Sequence, residues 1–402
     1  MNLFTLIVLS FGHIVIDLHL GAVPTLMLYM RDAFSLGYAQ VGLIILVSNF
    51  SSSVIQPLFG LYSDRTNLPW LMPLGIGLAT LGMSLAGVMP YFPLVIATVF
   101  ISGIGVAAYH PEGAKISHFA AGERRNSAMA LFSVGGNLGF SLGPILAALL
   151  LGTWGLTGSL GFLIPGLATT LAFYLLQPRI MKATSRARKA WQEQKKVNKT
   201  LPAVHTGGLV ILIIIVILRS WVQYGLISYL PFYYTDFLGG EKHIAAALVS
   251  IFLVAGAIGT LIGGPLADRF GTKKHIAVSM GLMFPLLYLL LNTGGGATVA
   301  FTALAGAVLI STFSPTLVMG QQYLPHHIGL ASGLMTGLAV GLGGLGVPIL
   351  GIFADKFGVD LVLKILAVMP LAGFPLALFL PRPPGDKTTV GADSKIQAEQ
   401  SI

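Results

Sequence analysis

Twelve apolar stretches follow one another along this chain, and each has the roughly 20 residues that a helix needs to cross a bilayer. In lipid a helix satisfies its own backbone hydrogen bonds, so this pattern predicts an all-α membrane fold. The links are short and rich in Gly or Pro, except for a longer basic link from Gln177 to Thr206. We place the spans near residues 3–30, 38–62, 69–89, 93–118, 126–151, 157–177, 208–235, 244–266, 275–292, 297–323, 329–353 and 360–380.

The low charge content supports the same class of protein. Of 402 residues, 9% are charged and 55% are hydrophobic, whereas an average soluble domain is roughly 25% charged. These values exclude a soluble enzyme, a disordered protein and a nucleic-acid binder. The chain contains no cysteine, which excludes disulfides and thiolate metal sites.

The distribution of basic residues predicts the topology. The link from Gln177 to Thr206 holds eight Lys and Arg residues, so by the positive-inside rule it is cytoplasmic. Alternating outward from this link places both termini in the cytoplasm, with 18 Lys and Arg on cytoplasmic segments and four outside. The net charge of +9 therefore reflects topology rather than an anionic polymer partner.

The two halves of the chain repeat. This predicts an N-terminal six-helix bundle over 1–177 and a C-terminal six-helix bundle over 207–384, facing each other across a central cavity. A basic cytoplasmic linker over 178–206 joins them, and a polar cytoplasmic tail occupies 385–402. The pairs that recur at an offset of 204 positions are Gly60 and Gly264, Asp64 and Asp268, Pro111 and Pro315, and Pro144 and Pro348.

One predicted cytoplasmic loop carries a motif. It lies between the second and third spans of the second half and resembles the loop signature of the major facilitator superfamily. The glycine lets two helices touch, and the aspartate can cap the next helix. In the first half, Asn67 replaces the second glycine of the motif. The motif residues, which we expect to take part in conformational gating, are Gly264, Asp268, Arg269, Gly271 and Lys273, and Gly60, Asp64 and Arg65 in the first half.

A second glycine-rich string lies in the fifth span. Gly139, Gly143 and Pro144 resemble the superfamily's antiporter signature, which also implies a gating role. The alternative interpretation is close packing of small residues between two helices.

Three further strings resemble the fosmidomycin-resistance branch of this superfamily. Membership of that branch implies a monomeric drug exporter of the bacterial inner membrane, powered by the proton gradient without a cofactor. The strings are His13-Ile-Val-Ile-Asp17, Tyr109-His110-Pro111-Glu112, and Leu218-Arg219-Ser220-Trp221.

Ionisable residues inside spans are costly in lipid and usually mark a transport pathway. Asp17 and His13 share one helix face and are candidates for proton coupling, or they tie helices together. His110 and Glu112 flank Pro111, which we expect to interrupt the fourth span. Both are further candidates for proton coupling, although Glu112 could instead pair with Lys115.

Arg219 is the candidate for binding an anion, because no residue near it in its own helix can neutralise it. We expect its charge to be met by Asp17, by Glu112 or by an anionic substrate, and a phosphonate or carboxylate suits its planar fork. A fixed ion pair between the halves is the alternative. Further candidates for substrate contact, or for hydrogen bonds between helices, are Gln223, Asn49, Gln56, Asn137 and Tyr109.

The leading hypothesis is a transporter rather than an enzyme. It would exchange protons for a small anionic drug or metabolite of the phosphonate type, by alternating access in the lipid bilayer. One alternative is uptake of an organic anion or a sugar-like solute. A membrane-embedded metal-dependent hydrolase is more remote, because His-Glu-x-x-His is missing. A sensor that binds without transporting would require a signalling domain, for which the tail is too short.

Overall fold

The computed structural model describes residues 1–36, 38–66, 68, 70–197, 204–239 and 242–382. The polar tail at 385–402 and residues 198–203 of the basic link lie outside this part of the chain. The helices of the first half are α1 (Leu3–Phe34), α2 (Tyr38–Asn49), α3 (Gln56–Arg65), α4 (Leu71–Ala86), α5 (Phe92–Ala120), α6 (Arg125–Trp154) and α7 (Leu163–Val197). Those of the second half are α8 (Thr206–Phe232), α9 (Lys242–Phe270), α10 (Thr272–Asn292), α11 (Gly296–Ile310), α12 (Phe313–Tyr323), α13 (Ile328–Ser332), α14 (Ala339–Gly344), α15 (Gly346–Phe357) and α16 (Val359–Phe379).

The predicted all-α membrane architecture is confirmed. Within the described residues, ten helical segments are long and apolar enough to span a membrane, and one of them, at Arg125–Gln194, contains α6 and most of α7. The apolar α4 is shorter, with 16 residues. The count of twelve spans therefore stays a prediction.

Two predicted features of the helices are wrong. We expected the fourth span to be interrupted at Pro111, but α5 continues through it from Phe92 to Ala120. Neighbouring helices make a proline tolerable inside a membrane helix. The sixth helix also differs, because α7 does not end near residue 177 but runs on to Val197. The added residues are mostly good helix formers such as Lys, Arg, Gln and Ala. Much of the basic link is therefore helical.

Glycines bring α6 directly onto α1. A Cβ atom on Gly143 would lie 2.5 Å from the carbonyl oxygen of Leu18, and one on Gly139 would collide with the backbone of Ile14. Both positions therefore require glycine for this packing. The geometry realises the close-packing interpretation of the glycine-rich string.

The two motif aspartates cap helices in the opposite half. Asp64 accepts hydrogen bonds of 2.9 Å from the backbone N–H groups of Gly329 and Leu330, in the first turn of α13. Asp268 accepts from those of Asn126 and Ser127, at 3.0 and 2.9 Å, in the first turn of α6. We expected each aspartate to cap the next helix in sequence, and that expectation is wrong. The first turns of α13 and α6 offer free N–H groups and a positive dipole end to the carboxylates.

These contacts close the molecule on one side, which we call the basic face: the helix ends that carry Arg65, Arg125 and Lys273. Hydrogen bonds between the halves, among the described residues, lie at this face or near the middle of the helices, and none lies at the opposite ends. The bonded pairs, besides those of the two aspartates, are Gln56 with Thr336, His118 with Gln321, Asn126 with Thr272, Asn137 with Thr260, and Trp191 with Pro325.

Candidate functional site

Three predicted residues meet in the first half, although they come from two helices. His13 and Asp17 of α1 face His110 of α5. The Nε2 atom of His13 lies 3.2 Å from Asp17 Oδ2, and that of His110 lies 3.1 Å from Asp17 Oδ1. The Asp17 side chain keeps 15% of its surface exposed, whereas the imidazole side chains keep 7% and 9%. We call these residues the proton cluster.

The hydrogen-bond partners assign the ring hydrogens of the proton cluster. His13 Nδ1 lies 2.8 Å from the carbonyl oxygen of Phe132, which can only accept, so this nitrogen donates. The Nε2 atoms of the two rings lie 3.0 Å apart, a hydrogen-bond distance with room for one hydrogen between them. His110 therefore donates to His13 when both rings are neutral.

Gln56 completes the surroundings of His110. Its side-chain Nε2 lies 2.6 Å from the carbonyl oxygen of Ser52 and 3.3 Å from His110 Nδ1. Three ligand atoms as close as those of the proton cluster also suit a metal ion. However, His110 Nδ1 accepts from the amide, which places the ring hydrogen on Nε2, the atom a metal would need. In this conformation the cluster is a set of hydrogen-bonded imidazoles around one carboxylate.

The walls of the proton cluster are tight and partly aromatic. The ring of Phe132 stacks on that of His13, with centroids 4.2 Å apart. A Cβ atom on Gly136 would lie 2.5 Å from His13 Nε2 and 2.6 Å from Asp17 Oδ2. Tyr109 is fully buried, and its hydroxyl donates to the carbonyl oxygen of Leu9 at 2.6 Å. We expected Tyr109 to contact substrate, but this geometry does not offer it to one.

Glu112 follows His110 by two residues on α5 and has its own partners. Its Oε2 atom lies 2.7 Å from the Nζ atom of Lys115, and Ser63 hydrogen-bonds to both groups. Glu112 and Lys115 are 1% and 6% exposed. The structure thus realises the alternative of an ion pair, beside a small cavity at the basic face. The proton-coupling role of Glu112 stays a prediction.

Arg219 of α8 is 2% exposed. Its Nη2 donates to the hydroxyl of Ser220 at 3.3 Å, and its guanidinium lies 5.1 Å from the centroid of the Phe313 ring. Its Nε and Nη1 atoms have no hydrogen-bond partner among the described residues. The expectation that Asp17 or Glu112 holds Arg219 is not met in this conformation, because both carboxylates are paired with nearer groups. Two buried nitrogen atoms, which carry three N–H donors between them, are left for another acceptor.

The remaining polar candidates are dispersed. Asn137 bonds Thr260 across the halves at 3.5 Å, so it acts as a bridge between helices. Gln56 is 3% exposed and occupied by His110 and Ser52. Asn49 is exposed and Gln223 is half-buried. Among the described residues, neither forms a hydrogen bond with the proton cluster.

Sequence reasoning missed three residues near the site. Gly136 touches the proton cluster, Thr336 of the second half bonds Gln56, and Tyr224 lies close enough to Arg219 and Asp17 to interact electrostatically with both. No local motif marks Thr336 or Tyr224. Gly136 could have been found from the sequence, because the pair Gly135-Gly136 directly precedes the substrate candidate Asn137 and two adjacent glycines indicate close packing.

Comparison with known proteins agrees with this architecture. The Major Facilitator Superfamily model matches residues 9–345 and 238–400. The uncharacterized MFS-type transporter YfnC of Bacillus subtilis is 34% identical over 381 residues, covering 94% of this chain and 92% of that protein. The fosmidomycin resistance protein of Escherichia coli is 33% identical over 375 residues, covering 93% and 91%. The structure of the E. coli fucose:proton symporter FucP superposes with a TM-score of 0.72 at 16% identity, covering 95% of this chain and 99% of that one, and so matches in fold.

Proposed function

This chain belongs to the major facilitator superfamily, and on that premise we propose that it exports a small anionic drug or metabolite in exchange for protons. The substrate class is a phosphonate or a similarly compact anion. The basic face is cytoplasmic, and the membrane is the bacterial inner membrane.

The observation that carries this proposal is the state of Arg219. A buried guanidinium with two unpartnered nitrogen atoms is costly, because their N–H groups have lost water without gaining an acceptor. An anion with two oxygens in one plane repays that cost, since the guanidinium can donate two parallel hydrogen bonds. Phe313 and Ser220 hold the guanidinium in place for such a ligand.

Proton exchange is assigned to the proton cluster. The carboxylate of Asp17 and the imidazole rings of His13 and His110 are buried within hydrogen-bond distance of one another, so they can exchange protons. Histidine is a side chain whose charge ordinarily changes near physiological pH. With the basic face closed, Asp17 is the member with most residual exposure, so protons enter from the opposite, outer side. The two halves then rock so that the basic face opens and protons leave to the cytoplasm.

The name of the E. coli relative supports drug export, because resistance to a drug is what an exporter confers. Identity of 33% over 93% of the chain makes a shared substrate class a reasonable proposal. Uptake of an organic anion is the competing direction.

The test is transport in proteoliposomes loaded with fosmidomycin. An imposed pH gradient should drive the drug against its concentration gradient, and an uncoupler should abolish the movement. We expect Asp17→Asn to remove the response to the pH gradient. Transport that stays proton-dependent in both Asp17→Asn and Glu112→Gln would refute the proposed coupling. Drug movement in the same direction as protons would indicate uptake instead.

A further inference from the structure

Gln56 connects the proton cluster to the second half of the molecule. Its Nε2 faces His110 Nδ1, while its Oε1 accepts a hydrogen bond of 2.9 Å from the hydroxyl of Thr336. Thr336 belongs to a π-helical segment, Gly333–Leu338, between α13 and α14. One side chain thus touches both a titratable ring and a helix of the opposite half.

The packing around Gln56 leaves little freedom. A Cβ atom on Gly333 would lie 2.7 Å from the carbonyl oxygen of Gln56, and one on Gly337 would lie 2.6 Å from its Cβ atom. Another π-helical segment, Phe50–Val54, directly precedes this position in the first half. Single π-helical turns inside membrane helices often occur at functional sites.

The orientation of the Gln56 amide follows from its neighbours. Turned by 180°, its Oε1 would face the carbonyl oxygen of Ser52 at 2.6 Å, and two acceptors at that distance repel each other. We therefore assign the NH2 group toward Ser52 and His110. His110 Nδ1 must then be an acceptor without a hydrogen.

Of the positions in the proton cluster that can take an added proton, only His110 Nδ1 faces Gln56. A proton between Asp17 and His13, whose nearest atoms are 3.2 Å apart, does not touch the amide. The space between the two Nε2 atoms already holds its one hydrogen. A proton on His110 Nδ1, however, would point at the NH2 group of Gln56. With the amide in place, the imidazolium form of His110 is excluded.

The charged and titratable surroundings of His110 are the following. From α1 come His13 and Asp17, and Tyr224 of α8 lies within electrostatic range of Asp17. On α5 itself, Tyr109 is adjacent, and Glu112 and Lys115, which pair with each other, follow two and five residues on. The sides formed by α3 and by the segment Gly333–Leu338 present the neutral groups Gln56 and Thr336.

We propose that Gln56 is the positioning residue that couples protonation of His110 to opening of the basic face. When a proton from the outer water binds His110 Nδ1, the amide must turn its oxygen toward the new N–H group. That turn breaks the bond to Ser52 and reverses the bond with Thr336, whose hydroxyl then donates only to the carbonyl oxygen of Ser332. One of the contacts between α3 and the second half is thereby weakened, and the Asp64 bonds remain to hold it. Coupling is reciprocal, so opening in turn increases the affinity of His110 for a proton. The inference rests on the proposed function for the direction of proton entry.

The absence of cysteine makes the opening measurable with two introduced labels. Tyr62→Cys on α3 and His326→Cys just before α13 lie on opposite sides of the basic face, and Tyr62 is 50% exposed. Nitroxide labels at both positions report their separation by pulsed electron spin resonance in lipid nanodiscs without ligand. We expect the population with separated labels to grow as the pH is lowered.

Two variants cut the connection at its two ends. In Gln56→Leu we expect the label separation to lose its dependence on pH. Thr336→Val should reduce that dependence in the same way, and it serves if Gln56→Leu does not fold. Ser53→Ala is the matched control, because Ser53 packs against Gly337 and Gly341 on the same contact without joining the connection. It should keep the pH dependence of the parent.

The contrary result is specific. A glutamine that only holds the helices together changes the ratio of closed to open populations by the same factor at every pH, so the pH dependence of that ratio stays as in the parent. That outcome in both variants overturns the inference, even if proteoliposomes show proton-driven export. If transport is not proton-driven but the separation depends on pH through Gln56, the proposed function fails and the inference stands.

Discussion

Asp64 and Asp268 lie 204 positions apart and perform the same task from opposite halves, since each carboxylate binds two backbone N–H groups in the first turn of a helix across the interface. Asp268 also accepts from the side chains of Asn126 and Ser127. The internal repeat of the sequence has thus become a pair of equivalent clamps on the basic face.

We expect Asp64→Asn and Asp268→Asn to open the basic face. The asparagine side chain has one acceptor oxygen and no charge, whereas the carboxylate accepts with both oxygens. Each variant therefore loses at least one hydrogen bond to a charged group, and such a bond contributes about 1.5–3 kcal/mol. The labels at positions 62 and 326 should separate more often in each variant, and most in the double variant. Asp360→Asn is the control, because Asp360 pairs with the exposed Lys364 at 2.7 Å away from this interface. Closed populations equal to the parent's would contradict the assignment of the clamps.

Arg219 should determine anion affinity. In Arg219→Gln the charge and the fork are lost, and in Arg219→Lys only the fork is lost. Loss of one charge-assisted hydrogen bond, about 1.5–3 kcal/mol, predicts binding weaker by about tenfold to 150-fold for Arg219→Gln, and by less for Arg219→Lys. Fosmidomycin binding to purified protein measures this, with Lys364→Ala as a control for a surface cation. Unchanged affinity in Arg219→Gln would move the anion site elsewhere.

Gly136→Ala should abolish proton-coupled transport. The added methyl group would press on His13 and Asp17 at 2.5–2.6 Å and force the proton cluster apart. Gly152→Ala on the same helix is the matched control, because its Cβ atom would meet only the Tyr29 hydroxyl at an ordinary 3.6 Å. Transport rates per folded protein in proteoliposomes compare the two. Equal rates would mean that the geometry of the proton cluster does not matter for coupling.

The Glu112–Lys115 pair should stabilise the protein only as a pair. Glu112→Gln leaves a buried ammonium without its counter-charge, which costs about 3–5 kcal/mol. We expect a marked loss of thermal stability in detergent. The double variant Glu112→Gln/Lys115→Met should recover most of it, since neither position then carries an uncompensated charge. If the recovered double variant still exchanges protons for drug, Glu112 is structural; if it does not, Glu112 also carries protons.

Much of the fold could be predicted from the sequence because lipid restricts the possibilities. Apolar length, basic loops and the offset of 204 led to the helical architecture, and the motif around Asp268 led to the superfamily. The positions of His13 and Asp17 on one face followed from helical periodicity. Their meeting with His110 required the packing of α1 on α5, for which the pattern held no information.

What could not be predicted was pairing between distant helices. Asp64 finds its partners 265 and 266 positions away, and Gln56 finds Thr336 at a separation of 280. Asn49 and Gln56 are seven residues apart and would share one face of a regular helix, yet only Gln56 is buried against the second half. For Arg219, the sequence shows that a buried cation needs a counter-charge. It does not show that Asp17 is already paired with His13 and His110.

The length of α7 has a mechanical consequence. Its 35 residues make a rod of roughly 50 Å, whereas the hydrocarbon core is about 30 Å thick. The protruding end carries Trp191, whose indole N–H donates to the carbonyl oxygen of Pro325 in the other half at 2.8 Å. When the first half tilts, the end of such a long helix moves further than its part inside the membrane. A rotation of the rod by a few degrees about a point inside the bilayer therefore displaces Trp191, near its protruding end, further than residues close to that point.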